Sequence, residues 1–137
     1  MPSSAIFDAS VVLRWMVEDP LTPAALRASQ TYQAVAPTLL GSEVANALRT
    51  QVRHGRHELE WCITQLRRLP SLVEMHSEQA LLPLALRLAA DRDHAVYDCV
   101  YVALAIERSR PLITADGRLV RKFQGLPGFE MLPLESL

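Results

Sequence analysis

Four acidic residues, Asp8, Glu43, Asp98 and Asp116, each sit beside apolar or small residues, where a lone carboxylate is costly to bury without compensation. That pattern suggests a divalent-metal site. Asp8 closes the run Ala5-Ile6-Phe7 and precedes Ala9-Ser10 and a helical pattern, and Asp116 closes Leu112-Ile113-Thr114-Ala115 in the same way. Both are expected at the C-terminal end of a strand. If the four carboxylates converge, mutual repulsion raises some of their pKa values and favours a bound cation. Oxygen ligands select a hard ion, so magnesium or manganese fits. Four charges of -1 exceed the +2 of one ion by about two units, which leaves room for a second ion about 3.5–4 Å away when substrate arrives. The implied chemistry is phosphodiester hydrolysis. One ion would acidify an attacking water and the other would stabilise the leaving oxygen.

The elements that must position these groups follow from apolar runs alternating with helical periods. Strands are expected at 5–8, 34–36, 72–75, 111–114 and 129–132, and helices at 11–17, 23–32, 39–54, 58–69, 78–92, 97–108 and 117–123. Such alternation implies parallel βαβ units with helices on both sheet faces. Ser10 is expected to cap the first helix, Pro23 suits a first turn, and Gly55 suits a helix C-terminus. Pro83 belongs in the first turn of the fifth helix or kinks it. Glu43 and Asn46 stand three apart on one helix, so both can enter one pocket. In an open α/β sheet, sites form outside the carboxyl ends of the strands, where facing helices add side chains.

Length and composition bound the class. The chain of 137 residues is near the commonest single-domain size, with 50% hydrophobic and 21% charged residues. No segment approaches the ~20 apolar residues of a membrane span, and Asp8 and Arg14 interrupt any signal-peptide core. A cytoplasmic protein without membrane association is expected. Cys62 and Cys99 fall in helical patterns and read as buried free thiols. The four histidines, His54, His57, His76 and His94, show no zinc pattern. Trp15 and Trp61 lie on amphipathic helices and read as core or dimer contacts. Thirteen arginines accompany the single Lys122 at a net charge of -1. Arg49, Arg53 and Arg56 concentrate positive charge and are candidate RNA contacts, since arginine is the better bidentate phosphate ligand; a solvated helix face is the competing reading.

The segments Ile6–Trp15, Ser42–Leu48, Tyr97–Ala105 and Leu112–Leu119 together resemble the PIN-domain nucleases, in particular the VapC toxins of bacterial and archaeal toxin–antitoxin pairs. The resemblance covers nearly the whole chain. It implies one domain over 1–137 with a three-layer α/β/α fold and a mainly parallel central sheet. By it, Asp8, Glu43, Asp98 and Asp116 are the catalytic, metal-holding acids, Ser10 and Thr114 their polar supports, and Asn46 a supporting or substrate-orienting group. It further implies a magnesium- or manganese-dependent endoribonuclease that forms a homodimer. A small cognate antitoxin is implied too, its C-terminal segment crossing the active-site groove with apolar anchors between helices 11–17 and 39–54. His94 is given no role. A catalytically silent interaction module on the same fold is the main alternative, although the intact acids oppose it. A haloacid-dehalogenase-like phosphatase is weaker, because its second aspartate would fall at Ser10.

Overall fold

The structure, a computed structural model, describes residues 2–137. Five parallel strands, β1 (Ser4–Phe7), β2 (Gln33–Pro37), β3 (Glu74–His76), β4 (Leu112–Thr114) and β5 (Met131–Pro133), form one sheet in the order β3-β2-β1-β4-β5. Seven helices accompany them among the described residues: α1 (Ala9–Met16), α2 (Thr22–Thr31), α3 (Leu39–Arg53), α4 (Leu59–Leu72), α5 (Leu82–Arg92), α6 (Val96–Arg108) and α7 (Gly117–Phe123). The central strands are sealed on both faces. Ala5, Ile6, Phe7, Leu112 and Ile113 have no exposed surface, which in a parallel sheet requires cover above and below. Helix α6 supplies much of it, packing on β1, β2 and β4, and every residue from Cys99 to Ala105 is buried.

The strand order places the site. The chain builds β1, β2 and β3 outward on one side, then returns to lay β4 beside β1 on the other. Where neighbouring connections diverge, the carboxyl ends of β1 and β4 leave a crevice. Asp8 follows β1 directly and Asp116 follows β4 by one residue. No helix among the described residues is long and apolar enough to cross a membrane.

All twelve expected elements are present, with shifts at the weaker ones. The fourth helix runs through Pro70 to Leu72, because burial of Leu69 on its inner face outweighs the missing proline N–H. That extension moves β3 two residues later than the expected strand at 72–75. The fifth helix starts with a 3-10 turn, Gln79–Leu81, and Pro83 sits in the first turn of α5 without a kink. Gly55 ends α3 at a φ of 68°, the left-handed conformation its position demands. Both cysteines are free and buried, as expected.

Candidate active site at the carboxyl edge of the sheet

Asp8, not Ser10, is the N-cap of α1, and this corrects the expected capping. The Asp8 carboxylate accepts from the backbone N–H groups of Ser10 and Val11. Strand β1 delivers Asp8 in an extended conformation, with φ -86° and ψ 174°, which is what an N-cap needs. Ser10 is then free to do something else. Its hydroxyl donates to Asp8 Oδ1 and accepts at 2.9 Å from the backbone N–H of Ala115. Thr114, fully buried at the end of β4, mirrors it: its hydroxyl donates to Asp8 Oδ2 and accepts at 3.0 Å from the N–H of Asp116. Two hydroxyls thus tie the β1–α1 junction to the β4–α7 junction across 106 positions of sequence. Charge-assisted bonds of this kind contribute about 1.5–3 kcal/mol each.

Those bonds do not cancel the burial. Asp8 is only 7% exposed, and desolvation pushes its pKa up to about 6, against the lowering by its hydrogen bonds, with a further upward push from the charge of Asp98. Glu43 on α3 is raised as well, first by desolvation and then by Asp98. Tyr101, one turn beyond Asp98 on α6, donates its hydroxyl to Glu43 Oε1 at 2.6 Å, and burial together with the charges of Glu43, Asp8 and Asp98 holds its proton far above the usual phenol range. Cys99 is pushed up to about 11 by burial and by Asp98. Asp98 is therefore felt throughout the site. Its own place in the first turn of α6 suits a carboxylate near the positive end of the helix dipole.

His94 holds Asp98 in place, a role the sequence did not suggest. Its Nε2 lies 2.7 Å from Asp98 Oδ2, while its side chain is only 4% exposed. The other ring nitrogen, Nδ1, is buried and has no hydrogen-bond partner among the described residues. The ring edge meets Phe123 of α7 at 5.8 Å. The loop carrying His94 is pinned too: Asp93 adopts φ 51°, and Lys122 donates to the carbonyls of Arg92 and Asp93. Tyr101 was likewise missed, since its partner Glu43 is 58 positions away.

Asp116 repeats the local device of Asp8, capping α7 through the N–H groups of Arg118 and Leu119, but remains half-buried. With Asp98, His94 and Arg118 it lines a polar cleft of about 350 Å³. A second and more open cleft of about 460 Å³ is lined by Ala9, Glu43, Asn46, Ser42 and Tyr97, so the expected sharing of one pocket by Glu43 and Asn46 is what the geometry gives. Among the described residues, no three acid, histidine or cysteine side chains form a ready-made ion cage. Asp8, Asp98 and Glu43 each accept from protein donors instead.

The three arginines singled out by the sequence line neither cleft. Arg49, Arg53 and Arg56 are exposed along and beyond the end of α3. Arg49 borders an apolar groove of about 250 Å³ between α3 and α4, lined by Leu48, Val52, Leu59, Ile63 and Leu66. The groove expected between the first and third helices corresponds to the cleft lined by Ala9 of α1 and by Leu39 to Ala47 on α3, and the apolar groove between α3 and α4 is a further one. Trp15 packs on Phe7 and donates to the Ala25 carbonyl, whereas Trp61 is 36% exposed and stacks on His57.

Comparison with known proteins decides the kinship. The model of the PIN domain family matches residues 5–123, a span that includes all four acids. The chain belongs to the PIN-domain family. Among curated proteins it is 32% identical over 125 residues to Ribonuclease VapC3 of Pyrobaculum aerophilum, covering 88% of this chain and 95% of that protein. Among solved structures, the PAE2754 protein of Pyrobaculum aerophilum superposes with a TM-score of 0.71 at 22% identity, covering 99% of this chain and 94% of its own. A toxin-antitoxin complex from Klebsiella pneumoniae superposes with a TM-score of 0.69 at 16% identity, covering 96% and 98%. At those identities the structures speak for the PIN fold alone.

Proposed function

We propose that this PIN domain, a single domain over 1–137, is a magnesium- or manganese-dependent endoribonuclease that acts as the toxin of a VapBC-type pair. The observation that carries the reading is geometric: Asp8 and Asp116 stand at the crevice between β1 and β4, tied together through Thr114, and α6 and α3 bring Asp98 and Glu43 close enough that burial and the charge of Asp98 raise both Asp8 and Glu43. Such a donor set suits a hard cation. Carboxylates that destabilise one another are relieved by positive charge, and their oxygens match magnesium and manganese. Asp8, Glu43, Asp98 and Asp116 would hold the ion, with Asp98 and Glu43 turning toward it the oxygens that His94 and Tyr101 leave free. When bound, the ion neutralises the phosphate and acidifies an attacking water.

The remaining groups prepare that site. Thr114 and Ser10 fix both oxygens of Asp8, so its orientation costs nothing when substrate arrives. His94 does the same for Asp98. Arg118, beside Asp116 and Asp98 in the polar cleft, can meet a phosphate oxygen, and Arg49, Arg53 and Arg56 supply positive charge for the RNA backbone further out. Asn46 orients substrate from the second cleft.

The relatives suggest the control. One is named a ribonuclease of the VapC type and another was solved as a toxin–antitoxin complex. An antitoxin segment with apolar anchors would fit the groove between α3 and α4, and a cation of that partner would pair with the acids. Leu82 and Leu86, four apart on α5 and 43% and 61% exposed, offer a face for a homodimer. A cytoplasmic location agrees with two unpaired thiols.

The test is cleavage of total cellular RNA by the purified protein with magnesium, manganese or chelator, with Asp98→Asn as control. Metal-dependent internal cuts that vanish in the variant are expected. Cutting that persists equally in Asp98→Asn, or none with either metal, overturns the proposal.

A further inference from the structure

We infer that the cleft walled by Tyr97 and Asn46 is a nucleobase subsite, which selects the nucleotide adjoining the cleaved phosphate; this rests on the nuclease reading above. Tyr97 is the anomaly that leads there. Helix α6 buries everything from Cys99 to Ala105, yet Tyr97, in its first turn, is 65% exposed, the most exposed of the large apolar side chains among the described residues. An aromatic ring costs little to order and much to leave wet, so a ring held open beside an active site is suited to stack on something planar.

Charge decides what that is. The polar cleft lined by Asp98 and Asp116 contains Arg118 and can take an anion. The Tyr97 cleft has no lysine or arginine in its lining and does have Glu43, so a phosphate is repelled and a neutral ring is admitted. Asn46 and Ser42 add an amide and a hydroxyl, which offer donors and acceptors to a base edge, while Leu39 and Ala47 complete an apolar wall. Because Glu43, one of the four acids, lines the same cleft as Tyr97, a nucleotide with its base on the ring has its phosphate near the carboxylates. Splayed, stacked bases are how proteins read single-stranded RNA. An apolar protein anchor has a better home in the groove between α3 and α4, whose lining is almost wholly apolar.

The experiment sequences the ends produced from a randomised RNA pool by the parent, Tyr97→Phe, Tyr97→Ala and Asn46→Ala. The parent and Tyr97→Phe should share a base preference at one position flanking the cut. Tyr97→Ala should flatten it and raise KM about tenfold or more, the usual size of a lost stacking contact, and Asn46→Ala should change which base is preferred. Both replaced side chains are exposed, so melting temperatures should match the parent. An unchanged profile in Tyr97→Ala overturns the subsite and leaves the nuclease reading standing. A parent that cuts no RNA ends the nuclease reading and the subsite with it. If Tyr97→Ala keeps the parental profile but releases a co-purified protein, the face docks a protein and the inference is wrong.

Discussion

The β1–α1 and β4–α7 junctions are built from one device and finished differently. In each, an apolar parallel strand ends at an aspartate that caps the next helix through the N–H groups two and three residues on. At the first, position +2 is Ser10, whose hydroxyl closes over the carboxylate, and Thr114 closes it from the other side. At the second, position +2 is Arg118, and Asp116 stays half-buried in an open cleft. Asp8 is thus a fixed, desolvated charge with a pKa near 6, whereas Asp116 keeps access to solvent and to whatever enters. Adjacent strands thus hold one carboxylate fixed and desolvated and leave the other open to solvent.

That division is broken most severely at Asp8. Asp8→Asn should cut RNA cleavage to below about a hundredth of parental, and Asp116→Asn by about tenfold, beyond or within the range typical of groups supporting a metal site. Initial rates at saturating manganese distinguish them, and equal losses would erase the contrast. Thr114→Val comes next. It leaves Asp8 Oδ2 and the Asp116 N–H without their partner, so activity should fall about 10–100-fold and stability by about 1–3 kcal/mol, read by denaturant titration.

The desolvated carboxylate also has a pH signature. Folded Asp8 keeps its proton up to about pH 6, whereas the unfolded side chain releases it near 3.8. Between those values the folded state binds more protons, so its stability falls as pH rises, by about 3 kcal/mol in total from this group. Glu43, raised as well, adds to the same slope. Melting curves from pH 4 to 7 should show the decline in the parent and much less of it in Asp8→Asn. Cleavage should run the opposite way, rising through about pH 6 as protons leave the site. The smallest expected effect lies furthest away: replacing Arg49, Arg53 and Arg56 with Gln should lower the salt slope of RNA binding by about 2, as three phosphate contacts are lost. An unchanged slope returns them to a solvated helix face.

Much of this was legible in the sequence because the informative signals are local. Runs such as Ala5-Ile6-Phe7 and Leu112-Ile113-Thr114-Ala115, each ended by an acid, announce buried parallel strands and the groups at their carboxyl ends. The shifts came at β3 and β5, three-residue strands at the sheet edges that carry too little pattern to fix their register. Serine favours an N-cap, but Asp8 takes that place two positions earlier, through the N–H groups of Ser10 and Val11. The roles of His94, Tyr101 and Tyr97 depend on what folding brings beside them or leaves uncovered. His94 is only four residues from Asp98, yet nothing in the sequence distinguishes a buried orienting imidazole there from a solvated one. The Tyr101 hydroxyl finds Glu43 only when α3 and α6 meet.

Central to the proposed function is a single cation site formed by four carboxylates from separate elements. Direct titration of manganese into the metal-free parent, Asp8→Asn, Asp98→Asn and the double variant Asp8→Asn/Asp116→Asn tests it without reference to any substrate. The parent should bind and gain thermal stability with it, by about 2.7 kcal/mol at a hundredfold excess over Kd. Each single variant should bind at least about tenfold more weakly, and the double variant should gain almost nothing. Equal affinity in the parent and in Asp98→Asn would mean that the acids do not act together, and would contradict the account.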